Sequence, residues 1–472
     1  MSRIKDLRAF IEFLEERHPH EVVRIRKEVD PRFGVTGILA LLEKQNKFPL
    51  LIFENVKGSE IPVVANMNAS FTRLRLALGM ESADPKAYLK EYARREAEPI
   101  PPEETETAPV QEVVFEGDEV DVTRLPILTY HELDAAPYIT AALNVMQDPD
   151  TGGYNIGIYR MMLKDKNTLG ILISETAHGN IIWKKYEKRG EPTPLAAVIG
   201  HHPAFYLGAL QPLAPYDMDE FHVAGGILQQ PVRTVQCRTI PLKVPADAEI
   251  VLECEVQPHV REAEAPFGEF PGTYGPQRMS PIVKVKAITM RKNPLYQSIF
   301  VSHPDNLLLA GLIRANFVEE TVKIACPTVT AVQMGGGGRI RFSCYIAIEK
   351  MIEGEAKQAA MAAFVADPYL RMVVIVDHDV DVSSDTEVLH ALAFRVRPER
   401  DTFLVTGAKG SPLDPCSYGP EGGSHLVTKM GIDATRKDGY PQEVSVPGTE
   451  GIRLEDYLGD YLSDNPQGVH TR

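Results

Sequence analysis

Hydrophobic and polar positions change rhythm three times along this chain, and each rhythm predicts a different kind of structure. Near the start, "IKDLRAFIEFLEE" repeats apolar residues at helical spacing, whereas "HEVVRIRKEV" alternates as a half-buried strand does. "PLLIFENV" follows as a short apolar run closed by a turn, which predicts a buried strand. Residues 97–113, "AEPIPPEETETAPVQEV", lose this periodicity and concentrate Pro, Glu and Thr, so they read as a linker. From there to about residue 300 the runs are short and punctuated by turns. "YITAALNVMQD", "GGYNIGIYRMML", "TLGILIS", "PLAAVIG", "AEIVLECEV" and "PIVKVKAITM" predict strands, interrupted by helices at "GNIIWKKYEKRG" and "DEFHVAGGILQQ". Many strands and few helices predict a barrel-like β domain. Beyond residue 305, a helix at "DNLLLAGLIRANFVEETVKIA" leads to "MVVIVDHDVDV", "DTEVLHALAFRV" and "DTFLVTG", which alternate as an α/β unit.

Composition narrows the choices. A chain of 472 residues exceeds one ordinary core and predicts two or three domains. An apolar share of 44% with 24% charged residues is the balance of a soluble globular protein. The net charge of −15 argues against nucleic acid and anionic membrane surfaces as partners. An anionic small substrate would need a local pocket of positive charge. "MSRIKDLRAFIEFLEER" carries charges throughout and lacks the apolar core of a signal peptide. No run of about 18 apolar residues occurs, so no membrane insertion is expected. Cys237, Cys254, Cys326, Cys344 and Cys416 are odd in number and lack CxxC spacing. That pattern fits a reducing cytoplasm better than a disulfide framework or a structural zinc site.

The candidate chemistry gathers in two stretches. In "GGYNIGIYRMML", Asn155 and Arg160 are the strongly polar side chains of a mostly apolar run. A buried arginine needs an anionic partner, which a structural ion pair or a binding site would supply equally well. The two positions differ by five, so a regular strand would put them on opposite faces. A shared site needs a bulge, a twist or a contact at the strand end. In "EAEAPFGEFPGTYG", Pro266 and Gly268 place Glu264 and Glu269 on or beside a tight bend. Two carboxylates facing one pocket need a cation, and Arg160 is the candidate. One of them, among Phe267 and Phe270, would then have a raised pKa and act as a general acid. The competing reading is an acidic loop with unrelated carboxylates. His178 falls where a strand gives way to a helix, and Glu220 stands beside Asp217 and Asp219 near a helix start. Asn155, His178 and Glu220 form a mixed oxygen and nitrogen set suited to Mn²⁺ or Mg²⁺, with no diagnostic spacing. Gly335–Gly338 lacks both the P-loop ending and the GxGxxG pattern, and reads as a turn.

Taken together, N-I-G-I-Y-R followed far downstream by E-A-P-F-G-E-F-P-G resembles the UbiD family of reversible, non-oxidative decarboxylases. "LKVPADAEIVLE", "VIVDHDVDV" and "RPERDTFLV…SPLDP…KMGIDAT" extend the resemblance over nearly the whole chain. It implies an α+β multidomain fold: an N-terminal α/β region (1–110), a central split β-barrel flavin-binding domain (111–304), a linker helix (305–330) and a C-terminal α/β dimerisation domain (331–472). It implies prenylated FMN, delivered by a flavin prenyltransferase, with Mn²⁺ (or Mg²⁺) and K⁺. Carried over by position, Arg160, Glu264 and Glu269 match the family's catalytic set, and Asn155, His178 and Glu220 its metal ligands. Ile158 and Arg371 join the cofactor contacts, Arg371 standing where relatives have a basic residue facing the phosphate. The expected reaction is loss of CO₂ from an aromatic or heteroaromatic acid, in a homodimer or an assembly of dimers. Phe270, Pro271, His222, His303 and Arg314 are candidates for the substrate pocket by placement. The alternatives are a polyprenyl-hydroxybenzoate decarboxylase of quinone synthesis and an ordinary FMN-binding oxidoreductase.

Overall fold

A computed structural model describes residues 6–458 except 107, 176, 211–215, 217, 337–338, 412, 418–425, 442–443, 445 and 448–450, and except the side chains of 310, 312 and 455. Asp217 and half of the Gly335–Gly338 run therefore lie outside the described residues. The chain divides into two compact units, residues 1–317 with 409–426, and residues 318–408 with 427–472.

The first unit is organised by a nine-stranded antiparallel sheet. Its path runs Tyr138–Ile139, Met161–Asp165, Thr168–Ile171, Arg278–Met290, Ile250–Glu264, Thr193–Ile199, Leu143–Gln147 and Tyr154–Ile158. Val113–Glu116 pairs with the far half of Arg278–Met290. Among the described residues the first and last strands of this path pair with one neighbour each, so the sheet is open rather than a closed barrel. The long strand Ile250–Glu264 explains itself in two halves. "IVLECEV" is mostly apolar and almost wholly buried, whereas the polar "QPHVREA" is largely solvated. The register shifts between Val256 and Arg261, where His259 takes φ 57°, so the polar half is re-aimed before Glu264 turns inward. A four-stranded sheet of Val22–Ile25, Leu50–Phe53, Val63–Ala65 and Tyr296–Gln297 joins the N-terminal region to the segment that follows the long strands. The segment read as a linker is strapped down: Glu103 and Thr105 donate backbone hydrogen bonds to Val232 and Thr234 at 2.9 and 2.8 Å. These two non-proline residues keep their N–H donors, and a neighbouring strand edge takes them.

The second unit holds a five-stranded sheet in the order Val329–Met334, Ser343–Ile348, Met372–Asp377, Leu426–Asp433, Thr402–Lys409. Ser343–Ile348, Met372–Asp377 and Leu426–Asp433 pair in parallel, and "SCYIAI" is buried throughout, as a parallel strand requires. Helix Asp385–Arg395 starts at Ser384, whose side chain accepts from Glu387 N.

Candidate active site

Arg160 escapes the parity problem because it is not in a strand. Tyr154–Ile158 ends two residues earlier, and Met161–Asp165 begins one residue later. Arg160 sits in the break with its side chain 8% exposed. Glu264, the last residue of its long strand, meets it with both oxygens: Arg160 Nε and Nη2 donate to Oε1 and Oε2 at 2.9 Å each. The remaining Nη1 donates to Glu269 Oε1. Just after Glu264 the chain forms a small hairpin, Phe267–Gly268 against Tyr274–Gly275, and its turn carries Glu269. Glu269 N donates to Thr273 O, and Gly272 N to Glu269 O, both at 2.9 Å. Gly268 is required by a close approach: a Cβ there would run into the His131 ring, while its N–H donates to Asp134 Oδ1 at 2.9 Å. Phe267 packs below, 5.1 Å from the Arg160 guanidinium and 4.3 Å from the Tyr138 ring.

Charge in this cluster is unbalanced. Burial works against Arg160's charge, but Glu269 and Glu264 outweigh it and hold the guanidinium charged. Burial raises the pKa of Glu269 above its ordinary value. Arg160 pulls it down, Glu264 pushes it up and Arg278 pulls it down, yet the balance stays upward. A buried carboxyl with raised proton affinity beside a fixed guanidinium can deliver a proton next to a bound carboxylate.

A second polar group gathers 65 residues apart in sequence. Asn155 Nδ2 donates to Glu220 Oε1 at 2.7 Å, both residues being buried. Glu220 opens the helix Glu220–Leu228, capped by Asp219, and burial pushes its pKa up to about 8. Asn155 Oδ1 and Glu220 Oε2 are buried with no hydrogen-bond partner. His178 opens the helix His178–Arg189, and burial lowers its pKa, favouring the neutral imidazole a metal needs. Two orphaned oxygens fit a hard divalent cation. Among the described residues no three His, Cys, Asp or Glu side chains gather as a metal site, so a cation here would depend on the Asn155 amide oxygen. Tyr159 sits where Gly157 and Gly179 leave it room; a Cβ on either would come within 2.7 Å of its hydroxyl. It thus ties the Asn155 strand to the turn that carries His178.

Family models match almost end to end: the N-terminal, Rift-related and C-terminal domains of 3-octaprenyl-4-hydroxybenzoate carboxy-lyase cover residues 11–95, 103–304 and 307–434. The anhydromevalonate phosphate decarboxylase of Methanothermobacter thermautotrophicus is 33% identical over 88% of this chain and 94% of its own length. The chain belongs to the UbiD family. Among solved structures, the UbiD-class enzyme HmfF from Pelotomaculum thermopropionicum in complex with FMN superposes at TM-score 0.87, with 38% identity over 96% of this chain and all of that one. An evolved dimeric form of HmfF, with prFMN, gives 0.85 and 36% over 96% of this chain and all of that one. The 3,4-dihydroxybenzoic acid decarboxylase of Enterobacter cloacae gives 0.86 at 27%, over 98% of this chain and all of that one. This UbiD-family chain is therefore a prenylated-FMN-dependent decarboxylase with a mixed α+β multidomain fold.

The other candidates of this UbiD-family chain fall in several places. Phe270 is buried and Pro271 half-buried in the Glu269 turn. His303 stacks on Phe300 at 5.1 Å, and Phe300 lies 5.4 Å from His131, so rings run from His303 toward the Gly268 turn. His222 is half-buried, two residues beyond Glu220, and Arg314 is buried within helix Pro304–Ala325. Ile158 ends the Asn155 strand, packed against the core. Arg371 belongs to the second unit. Glu262 pairs with Lys164 at 2.9 Å at the surface, apart from the cluster. Sequence reasoning missed Arg278, His131 and Asp134. Arg278 stands directly opposite Glu264 in the strand register, a placement only the hairpin pairing could reveal.

Proposed function

We propose that the enzyme catalyses the reversible, non-oxidative decarboxylation of an aromatic or heteroaromatic carboxylic acid. The observation that carries the reading is one buried guanidinium held by both oxygens of Glu264 and shared with Glu269. Prenylated FMN, when bound, supplies the electron sink for the pair left on carbon as CO₂ departs. Asn155, His178 and Glu220 would hold Mn²⁺ or Mg²⁺ and, through it, the cofactor phosphate, with Ile158 as a further cofactor contact and K⁺ as companion ion. Glu264 fixes Arg160, leaving the Nη1 side for the substrate carboxylate, which competes there with Glu269. Once displaced, Glu269 loses the interaction that lowers its proton affinity but keeps the burial that raises it. It takes up a proton and hands it to the carbon after the C–C bond breaks, and solvent then restores the proton. Run backward, Glu269 accepts the proton as CO₂ adds.

The rings of Phe267, Phe270, Tyr138 and Phe300 support a flat apolar substrate, as does the likeness to a dihydroxybenzoic acid decarboxylase. A split barrel closing around the flavin, in a homodimer or an assembly of dimers, completes the reading; exposed Met351, Ile352 and Val365 on the second unit suit such an assembly. The likeness to anhydromevalonate phosphate decarboxylases offers a second reading, an acid that also carries phosphate. The test is co-expression with a flavin prenyltransferase, mass spectrometry of the released cofactor, and a panel of furan, pyrrole, indole, benzoic and cinnamic acids. Loss of CO₂ and H/D exchange at the product carbon are expected. Unmodified FMN with NAD(P)H oxidation would sink the proposal.

A further inference from the structure

Beside the Arg160 cluster, within the first unit, lies a cavity of about 280 Å³ that the mechanism leaves unused. Leu172, Trp183 and Pro281 give it apolar walls, and Lys184, Arg261 and Arg278 line it with cations against Glu175 and Glu187. Three cations against two carboxylates leave the lining positive in a chain of net charge −15. Two lining residues adjoin the site. Leu172 N donates to Arg160 O at 3.4 Å, and Arg278 stands opposite Glu264 on the neighbouring strand. Directly opposed residues project to one face of a sheet. Arg261 is preset: it pairs with Glu187 and lies 4.6 Å over the Trp183 ring. Arg278 has a cost where it stands, because its charge lowers the proton affinity of Glu269, the opposite of what a proton donor needs. An anion in the cavity would offset that charge and return Glu269 toward its protonated form.

We propose that this cavity receives a second anionic group of the substrate, a phosphate or a second carboxylate, with Arg278 as the specificity-determining residue. The inference rests on the decarboxylase reading and narrows its substrate class to acids carrying two anionic groups. Two experiments test it. The purified chain, without cofactor, is titrated calorimetrically with inorganic phosphate and with malonate, and so is Arg278→Gln. Binding of either probe that weakens about tenfold in the variant supports the cavity, and the tighter probe names the group. Absence of binding by both probes, or equal binding by the variant, overturns it. In the cofactor-loaded enzyme, kcat/KM is compared for matched acids with one and with two anionic groups. The preference for the second kind is expected to fall about tenfold in Arg278→Gln and to recover partly in Arg278→Lys. Lys184→Gln, at an exposed position, reads the same preference without disturbing the buried wall. A wild-type enzyme with no preference for two anionic groups overturns the inference and leaves the decarboxylase reading standing. If no acid loses CO₂, that reading falls, while the phosphate titration still decides the cavity.

Discussion

Arg160 and Arg395 each lie between two carboxylates, and only the first of these pairs looks catalytic. In the second unit Arg395 donates to Asp377 Oδ2 at 3.0 Å and Asp379 Oδ2 at 3.3 Å. Arg436 completes the set: its backbone N–H donates to Asp377 at 2.7 Å and its side chain pairs with Asp379. Two arginines thus meet two aspartates. Burial pushes the Asp379 carboxyl up, but hydrogen bonds from Arg395 and Arg436 hold it below its usual range. In the first unit one hydrogen-bonded arginine meets two glutamates, and the carboxylate it holds by a single nitrogen, Glu269, is pushed the other way. Matched charge makes a network that keeps its protons off. Unmatched charge in an apolar setting leaves one carboxyl ready to carry a proton.

The sharpest way to break this comparison is to remove the odd carboxyl. With Glu269 as the proposed proton donor and Arg160 as the proposed carboxylate-binding group, Glu269→Gln should lower kcat by about 10²–10⁴-fold with KM little changed. Steady-state turnover and KM check it, and full activity would remove Glu269 as proton donor. Glu264→Gln should cost about 10²-fold, because Arg160 loses its two-point hold and its alignment. In the second unit, Asp377→Asn leaves Arg395, with its side chain only 3% exposed, short of a charge partner. Denaturant unfolding should register a loss of about 3 kcal/mol, with turnover at the first unit's site retained.

The residues of the Arg160 cluster could be named from the sequence, and the reasons for the gaps are physical. Asn155 with Arg160 could be named, but their spacing of five argued against a shared site until the strand broke at Tyr159 and Arg160. Pro266 and Gly268 announced the bend that presents Glu264 and Glu269. The partner that makes Gly268 necessary, His131, lies far upstream, and no local pattern points to it. Arg278 was invisible for a related reason: it matters through the register that sets it opposite Glu264, which the two bulges of the long strand determine. The linker reading of residues 97–113 followed composition and missed the strand edge that takes the N–H groups of Glu103 and Thr105. Helices and strands follow local period; the site is assembled by long-range pairing, which a period does not encode.

The smallest expected effect is a difference of sign in how the two clusters answer to pH. Glu269 has a folded-state pKa raised above its ordinary 4.5, so the folded chain binds that proton more tightly than the unfolded one. Its contribution to stability is fully present below 4.5 and is lost as pH rises through the raised value. Glu269→Gln removes that loss, so the variant should melt about 1–3 °C above the parent at pH 8 and converge with it in acid. Asp379 is the mirror case. Its folded pKa lies below the ordinary 3.8, so its contribution is present above 3.8 and is lost as pH falls through the lowered value. Asp379→Asn should therefore melt below the parent at pH 8 and approach it only in strong acid. Thermal melts of both variants from pH 4 to pH 8 decide the matter. If both shift in the same direction, charge balance is not what separates the proposed proton donor from the structural network.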